Sequence, residues 1–387
     1  MRANPPDGRD ASFGPTMTGR TASTALMPLV EALPLLLRGV APVAATGLPP
    51  AEAIGRVAAE DIRADADRPV TRIALRDGWA VRGAEVVGAS PYAPVPLAGP
   101  PVWVEAGCAL PAGTDTILTA EAIEKSGPLV EIVADAPTGD GTRAPAGDLA
   151  AGGRLVAAGT RIGPLQALAL AGLERVPVCL PRVGILLTGP ARWGGSDARS
   201  SVLRHLVGQA GGCVSAVATA PEGRDAIAAA LAADEADLTL VVGGTGFGRE
   251  DHSAAALAQA GSLAAHGIAL RPGEGAGFGD AQGRPVLLLP GAPEAMLAVF
   301  LALARPLLQA LAGEAAAPAR TAPLRRKVSS VIGLSEIVFV AEAGDGVEPL
   351  GSAELALHRL LLARGAILVP PEREGYPEGT SVEIMPL

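Results

Sequence analysis

The feature that most constrains this chain is a regular alternation that begins at Arg182. Val183–Leu187 is an unbroken apolar run, Asp197–Ala210 has helical patterning, Val214–Ala218 reads as a strand and Gly223–Ala233 as a helix. Leu238–Val242 is again a strand, Asp251–Ala260 a helix, Val286–Leu289 a strand and Glu294–Leu311 a long helix. Strands and helices alternating at this spacing predict βαβ units and a mostly parallel sheet, so the fold class is α/β. Such sheets bind ligands beyond the carboxyl ends of their strands. Chemistry is therefore expected in the loops after Leu187, Val242 and Leu289.

The flanking chain has other textures. Residues 1–23 are rich in Gly, Pro, Ser, Thr and Arg and read as a disordered tail. Leu26–Arg38 and Ala51–Asp61 read as helices. Short strands follow at Gly78–Val81, Val102–Glu105, Thr116–Thr119 and Leu129–Val133, which makes 67–139 a β-rich module. Pro137–Gly163 is glycine-rich, and Pro164–Gly172 is helical. Beyond an Ala/Pro linker at Gly313–Ala322, strand-like runs recur at Arg326–Val331, Glu336–Ala341, Ala366–Val369 and Ser381–Met385, with a helix over Ser352–Ala363. The expected division is 1–23 (tail), 24–66 with 140–180 (scaffold), 67–139 (inserted module), 181–314 (α/β domain) and 315–387 (small β domain).

Composition narrows the function. Aromatics are 3% of the 387 residues, so the core is built from Ala, Val and Leu. A net charge of -9 argues against a nonspecific nucleic-acid binder, while leaving room for a local anion pocket. Lys125 and Lys327 are the two lysines, so no mechanism needing a lysine between 126 and 326 can operate. Cys108, Cys179 and Cys213 have no metal-ligand spacing, which fits a reducing cytoplasm. The apolar stretch Met27–Leu37 is too short for a bilayer span of about 20 residues, and no membrane role is expected. His205, His252, His266 and His358 have no triad-like context, which argues against nucleophilic hydrolysis.

Several loops are candidates. Gly243-Gly244-Thr245-Gly246-Phe247-Gly248 leaves a strand and opens a helix, so its backbone N–H groups can cradle a phosphate or pterin; it also reads as a plain strand–helix turn with Asp251 as N-cap. In the loop Thr188–Asp197, Asp197 is either an N-cap or a carboxylate for a metal or a ligand amine. Arg271 in Leu270-Arg271-Pro272-Gly273-Glu274-Gly275 is a phosphate partner or a solvated turn residue. Leu289-Pro290-Gly291-Ala292-Pro293 is a rigid corner whose backbone can line a pocket. Asp77, before Gly78, sits at a turn, and Asp148 is a loop carboxylate that either caps its turn or ligates a metal.

Taken in order, these pieces resemble the molybdopterin molybdenumtransferase family (MoeA and the related gephyrin E-domain) from about Leu26 to Leu387. Leu48–Asp61 is similar to "PLxEALGRVLAED", Asp77–Val81 to "DGYAV" and Leu110–Asp115 to "LPxGADAV". Asp148 with Arg154–Ile162 resembles "GEDxxxGxxLxxxGTxL", Ile185–Gly189 "ILSTGDE", Gly243–Gly248 "GGVSVG" and Leu289–Pro293 "LPGNP". The resemblance implies a three-layer α/β molybdopterin-binding domain, a helical and β scaffold, an inserted β-rich module and a small C-terminal β domain. It implies an elongated homodimer that takes adenylylated molybdopterin and molybdate, hydrolyses the adenylate with magnesium and releases the molybdenum cofactor. A molybdoenzyme or the molybdopterin adenylyltransferase would be its protein partner. Carried over by position, Asp77, Asp148 and Asp251 would be catalytic, and Asp148, Asp197 and Asp251 would hold magnesium. Thr188, Gly189, Asp197, Gly243, Gly244, Thr245, Gly246, Gly248, Arg271, Pro272, Gly273, Pro290 and Gly291 would bind the ligand.

The departures fall on the same positions. Where the family has "FDNSAMDGYA", this chain has Arg72 and Ile73, and the threonine of "TGAPLP" is Ala106. Of two acidic positions after the glycine loop, one survives as Asp251. The "MKPGKP" lysines become Arg271 and Glu274, and the asparagine of "LPGNP" becomes Ala292. A lysine-to-glutamate change beside an anion removes an attraction of about 4 kcal/mol per charge pair at 4 Å and an effective dielectric near 20. Three readings follow: a transferase with an altered site, a non-catalytic carrier of molybdopterin or its cofactor, and an interaction protein with a vestigial pocket.

Overall fold

The structure, a computed structural model, describes residues 25–97, 99–126, 129–189, 198–221 and 223–387. The expected tail 1–23 lies outside the described residues.

The alternating segment forms β1 (Arg182–Leu187), α1 (Ala198–Gln209), β2 (Cys213–Thr219), α2 (Arg224–Ala233), β3 (Leu238–Val242), α3 (Ser253–Ala260), β4 (Ser262–His266), β5 (Ile268–Arg271), β6 (Gly277–Ala281), β7 (Arg284–Leu289) and a helix over Pro293–Ala312, α4. Six of the strands make one sheet in the order β2-β1-β3-β7-β6-β4. The four strands from β2 to β7 run parallel, and β6 and β4 close the edge antiparallel. The β1, β3 and β7 strands read as continuous apolar runs because both faces are covered. Val183, Ile185, Leu187, Leu240 and Val242 pack toward α1 and α4. Leu186, Val241 and Leu288 pack toward α2 and α3, giving three layers.

Sequence and structure part company after α3. The stretch 270–279 is not one continuous loop: β5 ends at Arg271 and β6 begins at Gly277, which leaves a turn at 272–276. The β5 strand also leaves the α/β sheet. It pairs in parallel with Met27–Pro28 on one side and with Ser335–Ala343 on the other, inside the sheet of the C-terminal domain. That sheet continues through Gly365–Val369, Ser381–Pro386 and Arg320–Pro323, so the expected linker ends in a strand. Fully buried Ile337, Phe339 and Ala366 of this domain share one core with α4, with Leu29, Ala32 and Leu36 of the helix Leu29–Leu36, and with the inner face of the α/β sheet. Helix α4 is long and apolar enough for a bilayer, but most of it is buried between these layers. Its middle turn, Phe300–Ala304, is a π-helix in which the Arg305 N–H reaches the Phe300 carbonyl. Pro306 follows at once; lacking an N–H, it leaves the carbonyl four residues earlier without an α-helical donor, which accounts for the wider turn.

Two expected helices are corrected. Ala51–Asp61 makes one turn, with the Glu52 and Ala53 N–H groups on the Pro49 carbonyl, and stops at Gly55, whose φ is +79°. Val57–Ala58 then pairs with Val176–Cys179 as a strand. Ser352–Ala363 is helical only over Leu357–Leu360, because Leu355 turns into the core and Glu354 takes a φ of +57°.

The scaffold has its own core of Ala58, Ile62, Val156, Ile162, Leu170 and Val176. It docks on the amino-terminal ends of the α/β strands. The Arg56 guanidinium donates to the Gly212 carbonyl at 2.6 Å, just before β2, and Arg161 binds Glu314 with two hydrogen bonds beyond the end of α4. Burial holds the Arg305 guanidinium below its ordinary pKa; Arg161 adds repulsion and Glu314 opposes it. The inserted module is a pair of small sheets, with the Trp79 and Trp103 rings edge to face at 5.1 Å.

Candidate functional site

The register of the parallel strands builds the site. Leu187 pairs with Val242, and Val242 with Leu289, so the three strands end in one row and their loops emerge side by side. The Thr188 N–H donates to the Val242 carbonyl at 3.0 Å, and the Gly243 N–H to the Leu289 carbonyl at 3.0 Å, which carries the pairing one residue past the strands.

Two buried hydroxyls then grip the glycine loop from beneath. Thr188 Oγ1 and, at 2.8 Å, Ser253 Oγ donate to the Gly243 carbonyl, and the two hydroxyls lie 3.3 Å apart. Gly243 and Gly244 adopt φ of +99° and +58°, and a Cβ on Gly243 would stand 2.5 Å from the Thr188 carbonyl oxygen. Here glycine is required both by backbone conformation and by close approach. Arg199, from the first turn of α1, places Nη1 3.5 Å from where a Gly243 Cβ would stand and 3.3 Å from that of Gly291. A cation thus lies over the junction of the second and third loops.

Farther along the loop, Asp251 is not the helix N-cap expected from the sequence. The helix begins at Ser253, with His252 in the cap position, and Asp251 Oδ2 accepts the Gly248 N–H at 2.9 Å. The carboxylate ties the loop to itself, crowding Gly246. On the other flank His266 Nε2 is 2.9 Å from the Thr245 carbonyl, its ring 4.9 Å from that of Phe247, and Gly275 packs on Thr245 and Gly246. Gly189, Gly244, Glu250, His252 and Gly223 line a cleft of about 250 Å³ beside the loop. Ser253, Glu250 and His252 were not singled out from the sequence. Their position just beyond the glycine run was the available signal, masked by reading Asp251 as the start of the helix.

The remaining candidates lie elsewhere. Arg271 ends β5 and faces the buried Glu336 of the C-terminal domain at 4.0 Å, while Ser330 Oγ donates to the same carboxylate at 2.5 Å. A Cβ on Gly273 would stand 2.7 Å from Val299, and Glu274 folds back to accept the Gly273 N–H at 3.1 Å. Pro272 follows Arg271 in the same turn, behind the glycine loop. Asp77 accepts the Ala106 N–H at 2.8 Å in the inserted module, and Asp148 is ion-paired with Arg143 near the scaffold. Asp197 lies outside the described residues. Among the described residues no three His, Cys, Asp or Glu side chains gather to hold a metal. With Asp148 on Arg143 and Asp251 on the loop backbone, the described residues of one chain do not form the expected magnesium site.

Comparison with known proteins agrees with this geometry. Residues 27–173 match the family described as "MoeA N-terminal region (domain I and II)", and residues 184–310 match "Probable molybdopterin binding domain". A molybdopterin molybdenumtransferase of Synechococcus elongatus is 30% identical over 399 residues, covering 92% of this chain and 98% of that protein. Molybdopterin molybdenumtransferase 2 of Mycobacterium tuberculosis is 29% identical over 383 residues, covering 88% and 94%. A crystal structure of the molybdopterin biosynthesis MoeA protein of Pyrococcus horikoshii superposes with a TM-score of 0.71 at 27% identity, covering 93% of this chain and 99% of that one.

Proposed function

The chain belongs to the MoeA family of molybdopterin molybdenumtransferases, and from that membership we propose that it acts in molybdenum cofactor biosynthesis, inserting molybdate into adenylylated molybdopterin. The observation that carries this reading is the row of strand ends at Leu187, Val242 and Leu289, which sets Thr188, Gly243 and Gly291 around Arg199. Glycine backbone and a guanidinium suit an anionic pterin phosphate. Arg199 takes the cationic role that lysines cannot fill here. Thr188 and Ser253 hold the loop in shape, and Asp251 fixes its far end.

Two further assignments belong to the same proposal. The scaffold grips the amino-terminal strand ends, whereas the glycine loop lies at the carboxyl ends, so Asp77 and Asp148 sit on modules attached away from their own chain's loop. A homodimer lets a second copy bring these carboxylates to it. The exposed Leu165 and Leu168, one turn apart on the scaffold helix Pro164–Leu170, suit such a contact. For magnesium, Asp251 is the one expected donor at the loop among the described residues, so no step is assigned to the ion. A cytoplasmic location fits the three free thiols.

A specific observation favours the second reading, a non-catalytic carrier: Arg271 faces Glu336 and Glu274 faces its own backbone, so neither is aimed at the loop. One experiment separates the two. Adenylylated molybdopterin is titrated with purified protein, with and without molybdate and magnesium, and AMP is measured. Binding with AMP release is the expected result. Binding without release supports the carrier, and absence of binding overturns both.

A further inference from the structure

The glycine loop carries one aromatic ring, and the fold holds that ring out to solvent. Phe247 is 62% exposed, whereas Phe278, Phe300 and Phe339 are buried in the cores. The ring is nevertheless braced. His266 donates from Nε2 to the Thr245 carbonyl at 2.9 Å, which fixes the imidazole, and the two rings meet at 4.9 Å with their planes 42° apart. Gly267, at a φ of +91°, lets Phe247 lie close to backbone: a Cβ there would stand 3.2 Å from Phe247 Cζ. Gly246 and Gly248 on either side have no side chain to cover the ring. Where "GGVSVG" has a serine and a valine, this chain has Gly246 and Phe247, so the loop loses a hydroxyl and gains an aromatic surface.

We propose that Phe247 is a specificity-determining residue that stacks against the flat heteroaromatic ring of the pterin substrate. The proposal rests on the molybdopterin-binding reading above and deepens it, because that reading assigns the phosphate and leaves the ring without a partner. Molybdopterin has a planar ring system at one end and a phosphate at the other. Arg199 with the backbone of Gly243 and Gly291 suits the phosphate, and Phe247 lies four residues farther along the same loop. An aromatic face accepts a flat π-system and buries apolar area of both partners. A ring that is already braced has little freedom left to lose on binding, so more of the contact appears as affinity. A phosphate ester without a planar ring gains nothing from Phe247.

The test is the equilibrium binding of molybdopterin to the full chain and to Phe247→Leu and Phe247→Tyr. Leucine keeps an apolar side chain without the ring, and tyrosine keeps the ring. Phe247→Leu should bind about tenfold more weakly, the scale of one stacked heterocycle, and Phe247→Tyr should stay within about twofold of wild type. Rescue by the aromatic variant separates stacking from a merely structural role of the side chain. Thermal unfolding of the three proteins checks that this exposed side chain is exchanged without loss of the fold. Equal affinity of Phe247→Leu and wild type, or binding by Phe247→Tyr as weak as that of Phe247→Leu, overturns the stacking while leaving the functional reading intact. No wild-type binding overturns the functional reading and the stacking together.

Discussion

Gly243 shows how little latitude the site allows a single residue. Its φ of +99° is unfavourable for any side chain, and a Cβ would meet the Thr188 carbonyl oxygen at 2.5 Å, against backbone that cannot swing aside. Gly243→Ala should destabilise the protein by about 2–3 kcal/mol in urea unfolding and abolish pterin binding. An unchanged midpoint would show that the loop relaxes freely. The need for glycine here was legible, because a Gly-rich run between strand and helix has few other uses. The partners of charged residues were not. Arg271 meets Glu336 across 65 positions of sequence, and no local pattern announces that pairing. Asp251 looked like an N-cap because a carboxylate before a helix usually is one; one more loop residue moved the cap to His252.

Among elements, the four parallel strands were legible because burial on both faces leaves an unmistakable apolar run. The β4 and β6 strands were not, since Ser262–His266 and Gly277–Ala281 are short, small-residue segments that gain their order from pairing at the sheet edge. The scaffold strand pair of Ile62–Arg63 with Arg154–Val156 offers a test at this scale. Asp61 accepts the Ala158 N–H at 3.0 Å, which is the main cause holding its carboxyl below the usual 3.8; Arg154 and Arg63 assist, and partial desolvation opposes. A lowered folded pKa contributes stability above the unfolded value and loses it as pH falls through the folded one. The strand pair should therefore loosen below pH 3.8, and Asp61→Asn should blunt that acid sensitivity. Amide exchange at Ala158 measured on the two proteins across the acid range would reveal it; equal pH profiles would refute it.

At the scale of the whole molecule, one core runs from the α/β sheet through α4 into the C-terminal sheet, while the scaffold and the inserted module keep cores of their own. Residues 27–36 and 181–387 should then melt as one cooperative unit, with the rest of the scaffold and the inserted module free to unfold separately. Calorimetry with hydrogen exchange checks this; a C-terminal domain that exchanges well before the α/β domain would contradict it. The sequence suggested a boundary at 314 because Ala and Pro crowd there, but packing across that point was hidden in residues far apart.

The straying strand β5 makes this unity mechanical as well as thermodynamic. It carries Arg271 into the C-terminal sheet, and the turn that follows returns to rest Gly275 against the glycine loop. Anyone cutting the chain near 314 to isolate the ligand-binding half would keep that strand and discard one of its neighbours. Leu270, wholly buried in the intact molecule, would then lie beside an open row of backbone donors and acceptors, an invitation to self-association. The C-terminal domain is for this reason a poor appendage to trim: its removal unsheathes the structure that supports the site.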